Sequence, residues 1–443
     1  MLNRCARPLV ACLLFLGVTS ASHAQDESSP WLWSLRSEIR LNLRQTNEER
    51  FALRFPFRPI ELPPGQTRGF LETVDEGLHA EASVVQFTAE ARYKEIFAAR
   101  ARVHALDLYR RNPTSEDRVV DADELWLRFG QKPEGLALPS GTSFFVQIGK
   151  APKMERQPVR LLESYGVAST AFNRFEDIAL LAGGSYGRGL YWRAEVSKGN
   201  PIFFRDSNAL AGDNGVESLR RPNPNPRLKS GFPILYNAEV EGFSFGTENP
   251  QIGGGLGYRF GDGSGEKGVD LLLYHYRREL AVEADLTGTF YGGDLDLLDG
   301  TRGISLPIRG NDKRESGMRA FGKWGGLTVF ASGVKQELAG LNRSGYELES
   351  GYTIPLSLGQ VRGRSLITSI QPAGRVSAII NHFRGPATFV APSVWWDWTK
   401  VDVGFRIGIF ERYDLTVERA SHFVDAPRQL DLDETLVTFR IRL

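Results

Sequence analysis

The last nine residues, Thr435 to Leu443, alternate: Val437, Phe439, Ile441 and Leu443 are apolar, while Thr438, Arg440 and Arg442 are polar. Successive side chains of a strand point to opposite faces, so this segment has one apolar face and one cationic face. The pattern runs to the final residue with no polar tail behind it. A second such run lies near the start. Trp31, Trp33, Leu35, Ile39, Leu41 and Leu43 share one face; Ser34, Arg36, Glu38, Arg40, Asn42 and Arg44 share the other. Helical spacing of three and four is absent there. That run exceeds the usual globular strand and is long enough to cross a bilayer at a tilt. A strand with one apolar and one charged face suits a closed barrel with lipid outside and water inside.

The N-terminus points the same way. Arg4 and Arg7 precede an apolar stretch, Leu9 to Val18, which is too short to span a bilayer. Ser22-His23-Ala24 then reads as a small-x-small cleavage site, so residues 1–24 are expected to be a secretory signal peptide, with the barrel in 25–443. Leu9-Val10-Ala11-Cys12 has the composition of a lipoprotein box, but it stands at the beginning of the apolar stretch. Both cysteines, Cys5 and Cys12, lie in the leader, so the exported chain would use neither disulfides nor thiolate metal sites. Without the leader's two arginines, 54 − 2 = 52 cations face 53 acids, a net charge of −1. Nucleic acid as a partner has no electrostatic support.

Further alternating runs recur without a sequence repeat. Phe97 to Ala105 alternates with Arg100, Arg102 and His104; Leu190 to Val196 with Arg193 and Glu195; Val401 to Ile409 with Asp402 and Arg406. Counting such runs predicts an all-β fold: a transmembrane, antiparallel, up-and-down β-barrel of about 16 strands, within 14–18. Short gaps carry turn signals, as at Gly261-Asp262-Gly263-Ser264-Gly265. Long polar gaps, Pro152–Asp177, Pro201–Gly231 and Leu286–Arg314, lack periodicity. Short periplasmic turns and long extracellular loops are the arrangement expected of an outer-membrane barrel. Residues 45–76 are the least legible, since Pro56 interrupts an alternating stretch.

Arginine outnumbers lysine 43 to 11. On the predicted water-facing side stand Arg36, Arg40, Arg44, Arg100, Arg102, His104, Arg193, Arg406, Arg440 and Arg442, the pore-lining candidates. Rings of arginine favour anions, because the guanidinium meets phosphate or carboxylate oxygens in pairs. The competing reading is that each arginine pairs with a lining acid, Glu38, Glu195, Glu347 and Asp402 being the candidates. If the long loops fold inward, Arg156, Arg160, Arg174 and Arg205 become constriction residues; otherwise those loops project outward.

Catalytic motifs fail on context. Gly183-Gly184-Ser185-Tyr186-Gly187 matches a nucleophile elbow, which requires a strand followed by a helix, and strands flank it here. Gly263-Ser264-Gly265-Glu266-Lys267-Gly268 matches a dinucleotide fingerprint without the helix it needs. Asp294, Asp296 and Asp299 do not have the spacing of a calcium loop. The remaining histidines lack metal-ligand spacing. The sequence therefore calls for no enzyme activity, no cofactor and no metal.

With leader, alternation, long loops and terminal strand together, the chain resembles Gram-negative outer-membrane porins. Val437, Phe439 and Ile441 fit the alternating terminal strand of that group, whose last residue is commonly phenylalanine where Leu443 stands here. Gln147-Ile148-Gly149-Lys150-Ala151-Pro152, Arg174-Phe175-Glu176-Asp177 and Trp192 to Asn200 look like the middle of the phosphate-selective porins. The resemblance implies location in the outer membrane after cleavage near Ala24. It also implies passive diffusion of small hydrophilic solutes, with anions or phosphate favoured. Outer-membrane lipid and small solutes would be the partners, with a homotrimer as an option, although no segment marks an interface. The alternative class is a non-conducting barrel for polymer export or surface assembly.

Overall fold

In the computed structural model, the described residues are 29–46, 50–53, 69–72, 77–107, 121–133, 135–138, 141–172, 176–187, 189–199, 249–262, 265–279, 309–384, 397–425 and 429–443. The expected leader, Arg174, Arg205 and the aspartates at 294, 296 and 299 lie outside them.

The strands are β1 (Trp31–Thr46), β2 (Arg50–Leu53), β3 (Gly69–Glu72), β4 (Gly77–Tyr93), β5 (Phe97–Asp107), β6 (Asp121–Gly130), β7 (Ser143–Pro152), β8 (Glu176–Tyr186), β9 (Leu190–Ser197) and β10 (Gln251–Gly261). There follow β11 (Gly268–Glu279), β12 (Asp312–Trp324), β13 (Leu327–Leu338), β14 (Leu341–Tyr352), β15 (Ile354–Val361), β16 (Arg364–Asn381), β17 (Asp397–Ile409), β18 (Tyr413–Asp425) and β19 (Gln429–Arg442). Strands β2 and β3 form a separate hairpin. Strands β14 and β15 lie end to end along β16, the first pairing its second half and the other its first half. The remainder is a closed antiparallel barrel of 16 strands in which sequence neighbours pair. Closure is made by the two terminal strands: β1 pairs with β4 on one side and β19 on the other, with Leu41 opposite Phe439 and Leu43 opposite Val437.

Alternation sets the two surfaces. On β11, Leu272, Tyr274 and Tyr276 are buried while Leu271 and Leu273 are exposed on the outer face. Exposed large apolar side chains recur around the outside, among them Leu35, Phe144, Leu256, Met318, Leu348 and Val403. Near one rim, the Trp31 ring stacks on Trp33 at 5.6 Å and meets Tyr93 at 5.0 Å, and Phe97 meets Phe129 at 5.3 Å. That rim carries tight connections, such as residues 94–96 and Gly325-Gly326. The other carries long ones, including 108–120, 153–175 and 280–311. The division is not strict: β6 and β7 are joined at the tight-turn rim by residues 131–142 and β18 and β19 at the long-loop rim by 426–428 alone. Strands β13 and β14 meet at the long-loop rim through Ala339-Gly340 alone, both with positive φ (48° and 84°), as a two-residue turn of matching twist requires.

Candidate functional site

The ten lining candidates all stand on strand positions whose side chains point into the barrel. Arg36 lies 3.6 Å from Glu90 on β4. Arg40 pairs with Glu38 at 2.5 Å and reaches Glu163 at 3.6 Å. Arg100 and Arg102 converge on Glu124 at 3.3 and 2.6 Å, and Arg102 also meets Asp123 at 3.2 Å. His104 shares a 2.9 Å hydrogen bond with Gln86. Arg406 pairs with Glu163 at 3.0 Å, Arg440 pairs with the same carboxylate, and Arg442 pairs with Asp414. Arg44 is buried. Arg193 is packed between the rings of Phe145 (4.8 Å) and Tyr191 (4.7 Å).

Two segments enter the barrel from its wall. Residues 153–172, which follow β7 and include the short helix α1 (Val167–Ala171), cross the interior to β14 and β16–β18. Buried N–H groups need partners, and distant wall acids supply them. Leu161 donates to Glu349, Glu163 and Ser164 donate to the two oxygens of Glu418 at 2.7 and 2.8 Å, and Ser169 donates to Glu347 at 3.0 Å. The loop's carbonyls are met by cations: Arg375 and Lys400 donate to Ser164 and Tyr165, and Arg343 donates to Ala171 while its guanidinium lies 4.4 Å from the Phe172 ring. Leu162, Val167, Ala171 and Phe172 are buried beneath this network. The second segment follows β6. Its Leu136 packs with Phe321 and Phe330, far around the wall on β12 and β13, while Arg259 donates to the carbonyl of Pro133 at 3.1 Å.

Of the constriction candidates, Arg156 pairs with Glu176, and the Arg160 guanidinium lies 3.8 Å from the Tyr165 ring centroid. Asp123, Glu124 and Glu176 bring carboxylate oxygens within 4.8 Å of one another, and the charges set among them are Arg102 and Arg156. Burial alone would push the Arg156 guanidinium down. Glu176, Asp123 and Glu124 instead hold it above its ordinary value. Burial pushes the Glu163 carboxyl up, but Arg440, Arg40, Arg406 and Arg160 together hold it well below the usual carboxylate range.

Inward cations and inward acids differ in exposure. Arg36, Arg92 and Arg442 expose 65%, 38% and 45% of their side chains, while their partners Glu90 and Asp414 expose 6% and 3%. Arg100 exposes 26% and its partner Glu124 2%. On the opposite wall Glu349, Arg375, Lys400 and Asp402 are fully buried under the loop. Among the described residues, the interior against β7–β17 is therefore packed, and inward positions of β6, β18 and β19 are mostly buried as well; the exposed inward arginines Arg36, Arg92, Arg100 and Arg442 stand toward the tight-turn end of β1, β4, β5 and β19, in front of carboxylates.

Sequence reasoning missed the packed half. Of the proposed acid partners, Asp402 does bond an inward arginine, Arg375, at 2.9 Å, together with Lys400 at 3.1 Å, whereas Glu347 holds Ser169. The Asp270, Arg319 and Tyr191 cluster was not anticipated either. Its only sequence signal is that each residue occupies an inward position of its strand. As for catalysis, Ser185 hydrogen-bonds Ser143 at 2.5 Å, and β8 turns directly into β9, so the strand-to-helix geometry of a nucleophile elbow is absent here.

No family model matches this chain, and no curated protein sequence does. Solved structures do. The outer-membrane channel DcaP of Acinetobacter baumannii superposes with a TM-score of 0.50 at 9% identity, over 94% of this chain and 99% of that one. The fold is that of the porin-like outer-membrane barrels. OprB of Pseudomonas putida aligns at 0.49 and 9% identity, over 93% and 94% of the two chains. At such identities the likeness concerns the porin-like barrel itself and not its cargo.

Proposed function

We propose that this chain is an outer-membrane protein of a Gram-negative bacterium whose barrel offers a water-filled route for passive diffusion of small hydrophilic solutes, with anions favoured. The observation that carries the reading is the accessible interior near the tight-turn rim, where Arg36, Arg92, Arg100 and Arg442 shield the acids behind them. An entering solute meets positive charge first although the chain is nearly neutral, and solutes move down their gradients under that field. Inorganic phosphate is one candidate anion, and homotrimeric assembly belongs to the same proposal. The packed half of the interior favours a second reading, a non-conducting barrel that anchors a surface assembly.

Planar-bilayer recording of the purified protein separates the two readings. The channel reading expects steady conductance with a reversal potential of anionic sign in a salt gradient. Absence of current from an intact barrel sinks it. Arg100→Glu combined with Arg102→Glu is expected to move the anion-to-cation permeability ratio at least about threefold toward cations. An unchanged reversal potential would count against a route along that wall.

A further inference from the structure

The outer surface between β9 and β13 is uneven. Gly254 on β10 faces outward, opposite Ala194 on β9 and His275 on β11. Neither small residue fills its place in the wall, so a furrow crosses the outside of the barrel. Its volume is about 1000 Å³, and Trp192, Ile252, Leu256, Leu273 and Arg277 are among the residues lining it. The apolar four are exposed.

Charge around this furrow is arranged in tiers. Level with Gly254, the row continues through His275 and Ser316, which share a 2.8 Å hydrogen bond, to Lys335. The next outward row toward the long loops carries Arg277 and Arg314, which stand opposite each other and are 62% and 52% exposed. Both reach Asp312, at 3.4 and 2.6 Å. Asp312 and Glu279 form the tier beyond, and Glu337 lies opposite Arg314. Arg277 and Glu279 thus line the furrow, Arg314 stands beside Arg277, and the two arginines share Asp312. On the other side of Gly254, toward the tight-turn rim, the same strands present Leu256, Tyr258 and Phe260, and Leu273 and Leu271. The surface is apolar below, grooved at the level of Gly254, and carries two exposed arginines sharing one aspartate at the groove's upper lip.

We propose that this furrow binds an anionic membrane lipid, one acyl chain lying against Gly254 and Leu256 and the headgroup phosphate meeting Arg277 and Arg314. Guanidiniums pair two donors with phosphate oxygens, and two guanidiniums sharing the single carboxylate of Asp312 keep N–H donors for an anionic headgroup at the interface. A second copy of this chain would need to match the same lip with carboxylates. The proposal rests on the membrane reading above but concerns the outer wall alone.

The test uses the full chain, purified in detergent and incubated with phosphatidylglycerol or phosphatidylcholine of identical chains, with retained lipid counted by native mass spectrometry. Phosphatidylglycerol is expected to be retained about tenfold over phosphatidylcholine. Arg277→Gln with Arg314→Gln should erase that preference. Gly254→Leu, whose Cβ meets the Arg193 carbonyl oxygen at 3.2 Å while the rest of the side chain fills the furrow, should lower retention of both lipids. Equal retention of the two lipids by the parent protein overturns the inference, as does cross-linking of two copies through Leu256 or Leu273. Failure of the protein to enter lipid vesicles at all would instead sink the membrane reading itself.

Discussion

Glu163 shows how a single residue can position a segment. It sits in the loop after β7, yet Arg40, Arg406 and Arg440, from β1, β17 and β19, all point at its carboxylate. A buried acid without those partners would be costly; with them its carboxyl is held well below the usual range, burial acting in the opposite direction. A carboxyl held below its unfolded value contributes stability that is fully present above that unfolded value and is lost as pH falls through the folded one. The contribution of Glu163 to docking of residues 153–172 is therefore expected to persist through mild acid and to be lost only well below about pH 4. Pepsin digestion across an acid series checks this: cleavage near Leu161 or Phe172 should be absent at about pH 4 and emerge below it. Cleavage already near pH 5 would contradict the role given to Glu163.

At the scale of the element, the inward loop is held less by its own helix than by the wall. Helix α1 has five residues and no side-chain cap, too few to be stable alone. What orders it is Glu347, Glu418 and Ser377, which accept from the N–H groups of Ser169, of Glu163 and Ser164, and of Val167. The sequence marked this stretch as long, polar and aperiodic, and it left open whether such loops point in or out. Its anchors lie 178 to 255 positions away along the chain, and no local pattern carries that information. Deleting residues 159–171 removes one arginine, Arg160, and one acid, Glu163, so the net charge is unchanged. If the loop narrows the route, single-channel conductance should rise at least about twofold. Unchanged conductance would place the route clear of the loop.

For the whole molecule, period-two alternation is the governing constraint, since a slip of one residue exchanges the faces of a strand. Inserting one residue between Val403 and Gly404 on β17 would turn Arg406, which pairs with Glu163, to the outside and bring Phe405 inside. Such a chain is expected to lose barrel formation, measured as loss of the heat-modifiable band in unheated electrophoresis. Recovery of a folded barrel would mean that β17 absorbs the insertion as a bulge, as the wall already does between Arg40 and Leu41.

What the sequence determined by itself is what alternation encodes: an all-β barrel near 16 strands, and which residues face in. These follow from rules that act between adjacent residues and between neighbouring strands. Which inward arginines remain open to solvent was decided only by the tertiary structure. Arg36 and Arg193 occupy equivalent inward positions of alternating strands, yet one stands exposed near a rim and the other lies between two aromatic rings. The difference arises because two connections fold back across the interior and pack one side of it. That packing depends on hydrogen bonds and ion pairs between residues hundreds of positions apart, which form only once the barrel has brought them together.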